Sequence, residues 1–468
     1  MTVRRPARWI VPVMMGLVST LGAQAPPRVP RSFTLPQAIE YADQHYPSVR
    51  AALERIRAAQ GQVDLARTNY LPGASLLWQS NRATANNIYG LLLPQGVIPP
   101  ISGPVLPTTS GRSVWGSAGG VLFSWEPFDF GYRRAAVNVA RSGERVARSE
   151  ADLTRLDVEV VAAEACLALV ASEQAARAAE ANVSRWEVFD KSVHVLVDNE
   201  LRPGADASRA DAELAVARTR LIQAQTAEKA GHAALADILA LAGTAVEVDS
   251  GQMLASSPPE DIPAIPVAAH PAAATERARV EEFKAEKEAL ERSYVPRFFT
   301  QAAVSGRGSG ANPNGTDASG LNGLGLERAN YAAGITINFP VFDYFSNRAE
   351  KKIVDANERA EAARYDQTLQ DLSDEVEQVR AALDGARQVA ANTPVELAAA
   401  RASETQARAR YQAGLTTVVE VAESEGLLVQ AEIDDSVARL NVWRGLANVA
   451  AAQGNLQPFV ELLGKTTP

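Results

Sequence analysis

The feature that most constrains the fold is a run of 59 residues, Glu144 to Arg202, that contains neither glycine nor proline. Alanine is frequent in this run, and apolar residues recur at helical spacing, for example at Leu153, Leu156 and Val160. A single α-helix of this length would be about 90 Å long. A globular domain does not bury such a helix, so the run predicts a coiled coil or a helical barrel.

Each half of the chain contains a long helix that stops at a short turn and returns. The turns lie at 200–214 and 410–425, and the long helical hairpins span about 134–243 and 347–454. Gly204 and Gly414 are predicted to be the left-handed residues that end the outgoing helices.

The second long helix contains signals for an interruption. Gly385 and the segment 392–396 predict a break and a restart, with Thr393 as the cap and Pro394 in the first turn of the restarted helix.

A second repeated feature precedes each hairpin. A helical segment runs from Pro47 to Pro72 and another from Pro271 to Pro296, and both end in Tyr-x-Pro. Proline is tolerated at the start of a helix and breaks it later, so each pair of prolines brackets one helix. The same elements follow each bracket, which predicts two structural repeats. We place them at 26–253 and 267–468, with a proline-rich linker at 254–266 between them.

Two strand-like segments and a turn-rich loop follow each bracket. The predicted strands are about 72–82 and 112–125, and about 296–305 and 330–339, with loops near 83–111 and 305–328. The segment 330–339 alternates apolar with small or polar residues, which fits a wall between lipid and water, or a half-buried hairpin. The aromatic residues where each return strand ends fit either an interfacial belt or packing at a strand–helix junction.

The N-terminus has the pattern of a targeting segment. Three arginines precede the apolar run 9–21, and 23-AQA-25 is a small-x-small cleavage site. We predict a signal peptide at 1–25, removed near Ala25, so that the mature chain is exported; an uncleaved anchor is the alternative. The single cysteine, Cys166, allows no disulfide framework and is read as a packing residue.

Composition argues against several function classes. The formal net charge of −9 and a pI of about 5.3 argue against nucleic-acid binding. The four histidines show no spacing expected of a metal site, and no phosphate-binding loop or catalytic motif is visible. We therefore predict no catalytic residue, no cofactor and no metal, and expect a protein that is not an enzyme.

This order of elements resembles the TolC-like outer membrane efflux protein family. The resemblance is carried by residues 35–72, the Tyr-x-Pro recurrence at 296, the Pro-Phe-Asp element at 127–129 with its partner at 340–343, and the two helix turns. It implies a mainly α fold with a β part. In a homotrimer, each protomer would give four strands to a twelve-stranded barrel in outer-membrane lipid, and its helices would join a periplasmic α-helical barrel.

The resemblance implies the function of a passive exit duct of a tripartite efflux or secretion system in the outer membrane of a Gram-negative-type bacterium. A periplasmic adaptor would connect the duct to an inner-membrane transporter that supplies the energy. The helix turns would be the periplasmic entrance, and we expect adaptor contact at Arg202, Gly204, Gly414 and Leu415.

The resemblance also implies residues of the entrance. Glu420 and Glu423 match acidic pore-lining residues of the family and share a helix face. Tyr411 matches a tyrosine that helps to hold the entrance closed, and Asp211 is the best match to its acidic partner. The family arginine two residues after the second turn glycine is replaced here by Thr416, which puts an ionic latch at that position in doubt.

Other interpretations of the same residues exist. When the residues are taken alone, Glu420 and Glu423 fit a solvated helix face better than a pore lining. The alternative function is that of a soluble periplasmic coiled-coil adaptor or scaffold, which does not require the two strand–loop–strand segments. An exported enzyme is the third interpretation, and the missing catalytic motifs disfavour it. The sequence does not specify the exported substrate.

Overall fold

A computed structural model describes residues 32–84, 111–251, 253–254, 261–312, 316, 319–340 and 343–465. The predicted signal peptide lies outside the described residues. So do most of the predicted loop at 83–111 and part of the predicted linker at 254–266.

Eight helices make up most of the described chain. They are α1 (Leu35–His45), α2 (Pro47–Thr68), α3 (Tyr132–Asp198), α4 (Gly204–Ile238), α5 (Pro271–Arg292), α6 (Tyr344–Gln412), α7 (Val418–Ala452) and α8 (Gln457–Lys465). The described strands are β1 (Ser32–Thr34), β2 (Gly73–Thr84), β3 (Ser113–Phe128), β4 (Glu247–Asp249), β5 (Arg297–Ser309) and β6 (Arg328–Asn338).

The same order of elements occurs twice along the chain. The series α2, β2, β3, α3, α4 is followed by α5, β5, β6, α6, α7. Corresponding helices have nearly equal lengths: 22 residues in both α2 and α5, 67 and 69 in α3 and α6, and 35 in both α4 and α7. The bracketing prolines Pro47 and Pro271 are the first residues of their helices, where the missing N–H has no intrahelical partner to lose.

The predicted interruption of the second long helix is wrong. Helix α6 runs without a break through Gly385 and Pro394, so Thr393 is an interior residue and not a cap. The Thr393 side chain is buried and donates a hydrogen bond of 3.2 Å to Asp435 on α7. Proline in a helix interior removes one backbone hydrogen bond. Packing of α6 along α7 offsets that loss, which the local signals alone could not show.

Strands β2, β3, β5 and β6 form one antiparallel sheet in that order. Among the described strands, β2 and β6 lie at the two edges, and each has one side without a strand partner. The register aligns residues of like character across all four strands. One such row consists of Leu76, Val121, Val304 and Tyr331, and another consists of Gly73, Ser124, Gln301 and Gly334.

The two faces of this sheet differ sharply in polarity. The apolar face carries large, exposed side chains, namely Leu76, Trp78, Val121, Phe123, Trp125, Val304, Tyr331, Ile335 and Ile337. Leu76 is 83% exposed, Tyr331 85% and Ile335 73%. The opposite face carries mostly small and polar residues, such as Ser75, Gln301 and Thr336, together with Leu77, Leu122 and Phe299. An apolar surface of this extent is costly in water, so it marks a surface that contacts lipid or another protein.

The junction of β3 and α3 is held by a buried ion pair. Asp129 and Arg133 are 7% and 5% exposed, and their side chains lie 2.8 Å apart. Arg133 also donates to the carbonyl of Asn69 and lies over the ring of Tyr70, at 4.8 Å from its centroid. Tyr70 of the Tyr-x-Pro segment after α2 is therefore packed against the Arg133 side chain at the start of α3.

The main hydrophobic core lies around the middle of the helices. This central core combines α1, residues 156–170 of α3, the end of α4, residues 440–450 of α7, and α8. Trp443 is 1% exposed, and its indole N–H donates to the carbonyl of Met253 at 3.1 Å. Cys166 is fully buried here, and burial raises the pKa of its thiol to about 12, so it is an inert packing residue, as the sequence predicts.

Candidate functional site

The two helix turns at the far end of the hairpins have the same backbone geometry. After α6, the amide of Leu415 bonds to the carbonyl of Arg410, and Gly414 is left-handed with φ of 79°. After α3, the amide of Leu201 bonds to the carbonyl of Leu196, and the left-handed residue is Glu200, with φ of 60°. Both are Schellman caps, which use a left-handed residue to satisfy the last helical carbonyls.

The predicted role of Gly204 is therefore wrong. Gly204 is the first residue of α4 and follows Pro203, whose fixed φ leads the extended chain into the new helix. A non-glycine residue, Glu200, adopts the left-handed conformation because the cap hydrogen bonds around it compensate for the strain. Glycine content alone could not locate this position.

Replacing Gly414 by alanine should destabilise the second turn by roughly 1–2 kcal/mol, since a Cβ is strained at a left-handed φ. Gly204→Ala is the matched control, because Gly204 starts a helix and a Cβ there meets no atom within 4 Å. It should be neutral or slightly stabilising. Thermal unfolding followed by circular dichroism measures both. Equal effects at the two glycines would contradict the assigned turn geometry.

A contact between the two hairpins joins the turns, and we call it the clasp. It consists of Arg202, Asp206, Tyr411 and the carbonyl of Thr416. The Tyr411 hydroxyl donates to Asp206 at 3.1 Å. The Arg202 guanidinium lies 4.3 Å from the centroid of the Tyr411 ring and donates to the carbonyls of Tyr411 and Thr416.

The Tyr411 side chain is almost completely buried, with 1% of its surface exposed. Its ring also packs against Phe189 of α3, with 5.2 Å between ring centroids. Burial, with the nearby Asp206 carboxylate as a second cause, raises the pKa of Tyr411 to about 12. The hydroxyl therefore stays protonated and remains a hydrogen-bond donor throughout the neutral range.

Behind the clasp, a charged cluster ties α3 to α6 and α7. Glu425 on α7 is 2% exposed and accepts from Arg185 of α3 at 3.0 Å and from Arg408 of α6 at 2.5 Å. Arg185 also pairs with Glu432 at 3.1 Å. Burial raises the pKa of Glu425, and the two guanidinium groups oppose that shift. Loss of either arginine would leave this poorly solvated carboxylate with one guanidinium partner and one oxygen without its partner.

The two predicted entrance glutamates occupy different surroundings. Glu420 forms an ion pair with Arg410 and accepts a hydrogen bond from the Thr416 hydroxyl, so it belongs to a local network at the second turn. Glu423 lies exposed on α7, and no hydrogen bond or ion pair is recorded for it among the described residues. Both are on the surface of this chain at the turn end of α7, and a role in lining a pore between copies would need neighbouring copies of the chain.

The other predicted residues lie in three different places in the structure. Tyr411 and Arg202 meet in the clasp, and Leu415 is 70% exposed at the second turn. Asp211 does not contact Tyr411 in this chain; its carboxylate lies 3.2 Å from Nε2 of His194 on α3. Asp211 raises the pKa of this half-buried histidine, mainly through that hydrogen bond. The aspartate that meets Tyr411 is Asp206, which sequence reasoning missed.

The role of Asp206 can be inferred from its position, but only when the left-handed residue of the turn is known from the backbone conformation. Asp206 lies six residues after the left-handed Glu200, and Glu420 lies six residues after the left-handed Gly414. Aligned in the same way, Arg202 corresponds to Thr416. The first turn thus supplies the arginine that the second turn lacks. Alignment on Gly204 hides this correspondence.

The described residues contain one group of side chains with the arrangement of metal ligands, formed by Asp190, His194 and Asp211. No helix in the described part of the chain is both long enough and apolar enough to cross a membrane.

Comparison with known proteins gives a consistent result. A family model described as outer membrane efflux protein matches residues 38–241 and 268–460. A search of curated protein sequences returned no match.

Solved structures with the same fold include three outer-membrane proteins, two of which, CmeC and MtrE, are described as channels. VceC from Vibrio cholerae is 19% identical, with a TM-score of 0.70, and the match covers 90% of this chain and 96% of that one. CmeC from Campylobacter jejuni is 15% identical, with a TM-score of 0.68 and coverage of 90% and 85%. The open state of MtrE from Neisseria gonorrhoeae is 18% identical, with a TM-score of 0.66 and coverage of 90% and 89%. The family match spans both hairpins, and the chain belongs to the outer membrane efflux protein family.

Proposed function

We propose that three copies of this chain form a passive exit duct across the outer membrane. Members of this family are channels and not enzymes. An inner-membrane transporter would supply the energy, a periplasmic adaptor would connect the two, and the helix turns would form the periplasmic entrance. The α-helices would extend from the membrane into the periplasm as a helical barrel.

The observation that carries this proposal is the four-stranded sheet. Its apolar face is exposed, its other face is mostly small and polar, and among the described strands β2 and β6 each have one edge without a strand partner. Backbone groups without partners are not tolerated in lipid, so a sheet in a membrane must close on itself. Four strands are too few to close alone, and twelve strands from three copies would pair β6 of one copy with β2 of the next.

Two exposed leucines at the turns support the proposed contact with the adaptor. Leu201 and Leu415 occupy equivalent positions directly after the two left-handed residues, and they are 68% and 70% exposed. Exposed apolar side chains at a helix end mark a contact surface for a partner protein. We propose that these leucines, with Arg202, Gly204 and Gly414 beside them, meet the adaptor, and that the clasp holds the entrance in the conformation described here.

The alternative of a soluble periplasmic coiled-coil scaffold is not favoured. In a soluble protein, an exposed apolar sheet face would promote aggregation in water.

The mass and shape of the detergent-extracted mature protein test the proposal. We expect extraction to require detergent, a trimer by light scattering, and a long hollow cylinder by negative-stain microscopy. Reconstitution in a planar bilayer should then give discrete conductance steps. A monomer or dimer that fractionates with soluble periplasmic proteins would overturn the proposal.

Neutralising both entrance glutamates should weaken the preference for cations. Glu420 and Glu423 lie three residues apart on α7, so three copies would bring six carboxylates to one level of the entrance. We expect Glu420→Gln with Glu423→Gln to lower the cation-to-anion permeability ratio about twofold or more, measured as a shift in reversal potential under a salt gradient. Glu396→Gln, at an exposed position on α6 far from the turns, is the control. An unchanged ratio would remove these glutamates from the pore.

A further inference from the structure

Three ionisable side chains converge on one side of the first hairpin, close to its turn. Asp190 and His194 lie one helical turn apart on α3, and Asp211 faces them from α4. Nε2 of His194 is 3.2 Å from a carboxylate oxygen of Asp211 and 3.8 Å from one of Asp190. One potential ligand atom of each residue lies within 4.8 Å of the others.

These separations are close to those of a metal centre. Four ligands that surround Zn²⁺ tetrahedrally at bond lengths of about 2.0–2.1 Å lie about 3.3 Å from one another. The two distances from Nε2 of His194 differ from this value by about 0.1 and 0.5 Å, and the ligand atoms of all three residues lie within 4.8 Å of one another, so side-chain rotations that bring the two carboxylates closer together would complete the site. Two ligands come from adjacent turns of one helix, so helix α3 already fixes their relative positions.

The donor set indicates the class of cation. Imidazole nitrogen binds Zn²⁺, Ni²⁺ and Cu²⁺ well, whereas Ca²⁺ and Mg²⁺ require oxygen ligands. The Oδ1 atom of Asp190 is inaccessible to solvent and has no hydrogen-bond partner in the described structure, so one acceptor at the cluster is unused. His194 and Asp211 are partly open to solvent, which leaves a route for an ion and room for a water as the fourth ligand.

We propose that Asp190, His194 and Asp211 form a binding site for a divalent transition-metal ion of the zinc class. The ion would cross-link α3 to α4 about two helical turns from the loop that joins these two helices. It would stiffen the end of the hairpin that carries Arg202 and Asp206. All three residues belong to one chain, so the site would form whether or not the chain assembles into a duct.

Without metal, the same residues could form an ordinary ion pair between a protonated His194 and Asp211. The two arrangements differ in one measurable property. An ion pair takes up no zinc, whereas a three-ligand site binds one ion per chain with saturation.

Isothermal titration of Zn²⁺ into the full-length mature protein, extracted in detergent, free of any histidine tag and stripped with chelator, tests the site. We expect one saturable site per chain in the wild type. His194→Gln and Asp211→Asn should each weaken binding at least tenfold, because loss of even an outer-shell partner costs 10- to 100-fold. His45→Gln should bind as the wild type does, because that exposed histidine contacts the carbonyl of Tyr41 and no carboxylate.

Cobalt provides a second measurement that is independent of heat signals. Co²⁺ at a site of four or five ligands gives strong visible absorption, and this absorption should appear with the wild type and His45→Gln and be absent with His194→Gln. Circular dichroism of each variant checks that it is folded. Absence of saturable Zn²⁺ binding by the wild type, or undiminished binding by folded His194→Gln, would overturn the proposal.

Discussion

Ile335→Lys should prevent the chain from assembling in the outer membrane. Ile335 lies near the middle of β6 on the apolar face, in register with Thr300 of β5, and 73% of its surface is exposed in the single chain. A lysine on the lipid-facing side of a membrane barrel costs about 2–4 kcal/mol at the bilayer midplane. Three copies in one barrel would incur this cost three times, which is large compared with a typical folding free energy of 5–15 kcal/mol.

The matched control is the next residue. Thr336 lies on the opposite face of the same strand, where its register partner is Phe299. A lysine at position 336 would face the proposed water-filled interior and should leave assembly intact, with altered ion selectivity. Trimer yield in the outer-membrane fraction, measured by gel migration without boiling, compares the two. Equal yields of both variants would show that the apolar face does not contact lipid.

Removing the clasp should open the entrance, which is the second large effect. In the double variant with Arg202→Ala and Tyr411→Phe, the cation–π contact, the hydrogen bonds of the guanidinium and the bond to Asp206 are lost together. A cation–π contact contributes about 0.5–2 kcal/mol and a charged hydrogen bond about 1.5–3 kcal/mol. The double variant should therefore lose about 2–4 kcal/mol of contact between the hairpins, a change of about 30- to 1,000-fold in the open-to-closed ratio.

Single-channel recording in planar bilayers measures this change as higher mean conductance. The control is Arg209→Ala, which removes an arginine of the same hairpin whose partner, Glu213, is on its own helix. That variant should conduct as the wild type does. If the folded, trimeric double variant also conducts like the wild type, the clasp does not hold the entrance closed.

Much of the fold follows from local patterns in the chain. Three patterns predict the secondary structure of the residues in which they occur. They are the prolines that bracket α2 and α5, the alternation in β6, and the long run without glycine or proline. These signals need no knowledge of distant residues. Repetition of the same order in both halves strengthens each of them.

Predictions from the sequence fail where a contact with a distant residue outweighs a local signal. Pro394 continues a helix because α7 packs along it, and Glu200 takes the left-handed position that glycine would be expected to occupy. Asp206 was missed because its role depends on where the turn begins. The cluster around His194 was missed because Asp211 belongs to another helix, and only the packing of α3 on α4 brings it close.

The position of the central core has a mechanical consequence for the hairpins. Helix α3 leaves that core near Val170 and ends at Asp198, so its arm beyond the core is roughly 42 Å long at 1.5 Å per residue, and Arg185 and Phe189 hold this arm to α7 and α6. A pivot of about 10° at the core would sweep the end of such an arm sideways by about 7 Å. Each hairpin thus acts as a lever that pivots at the central core. A small rotation there produces a large displacement at the turn at its far end.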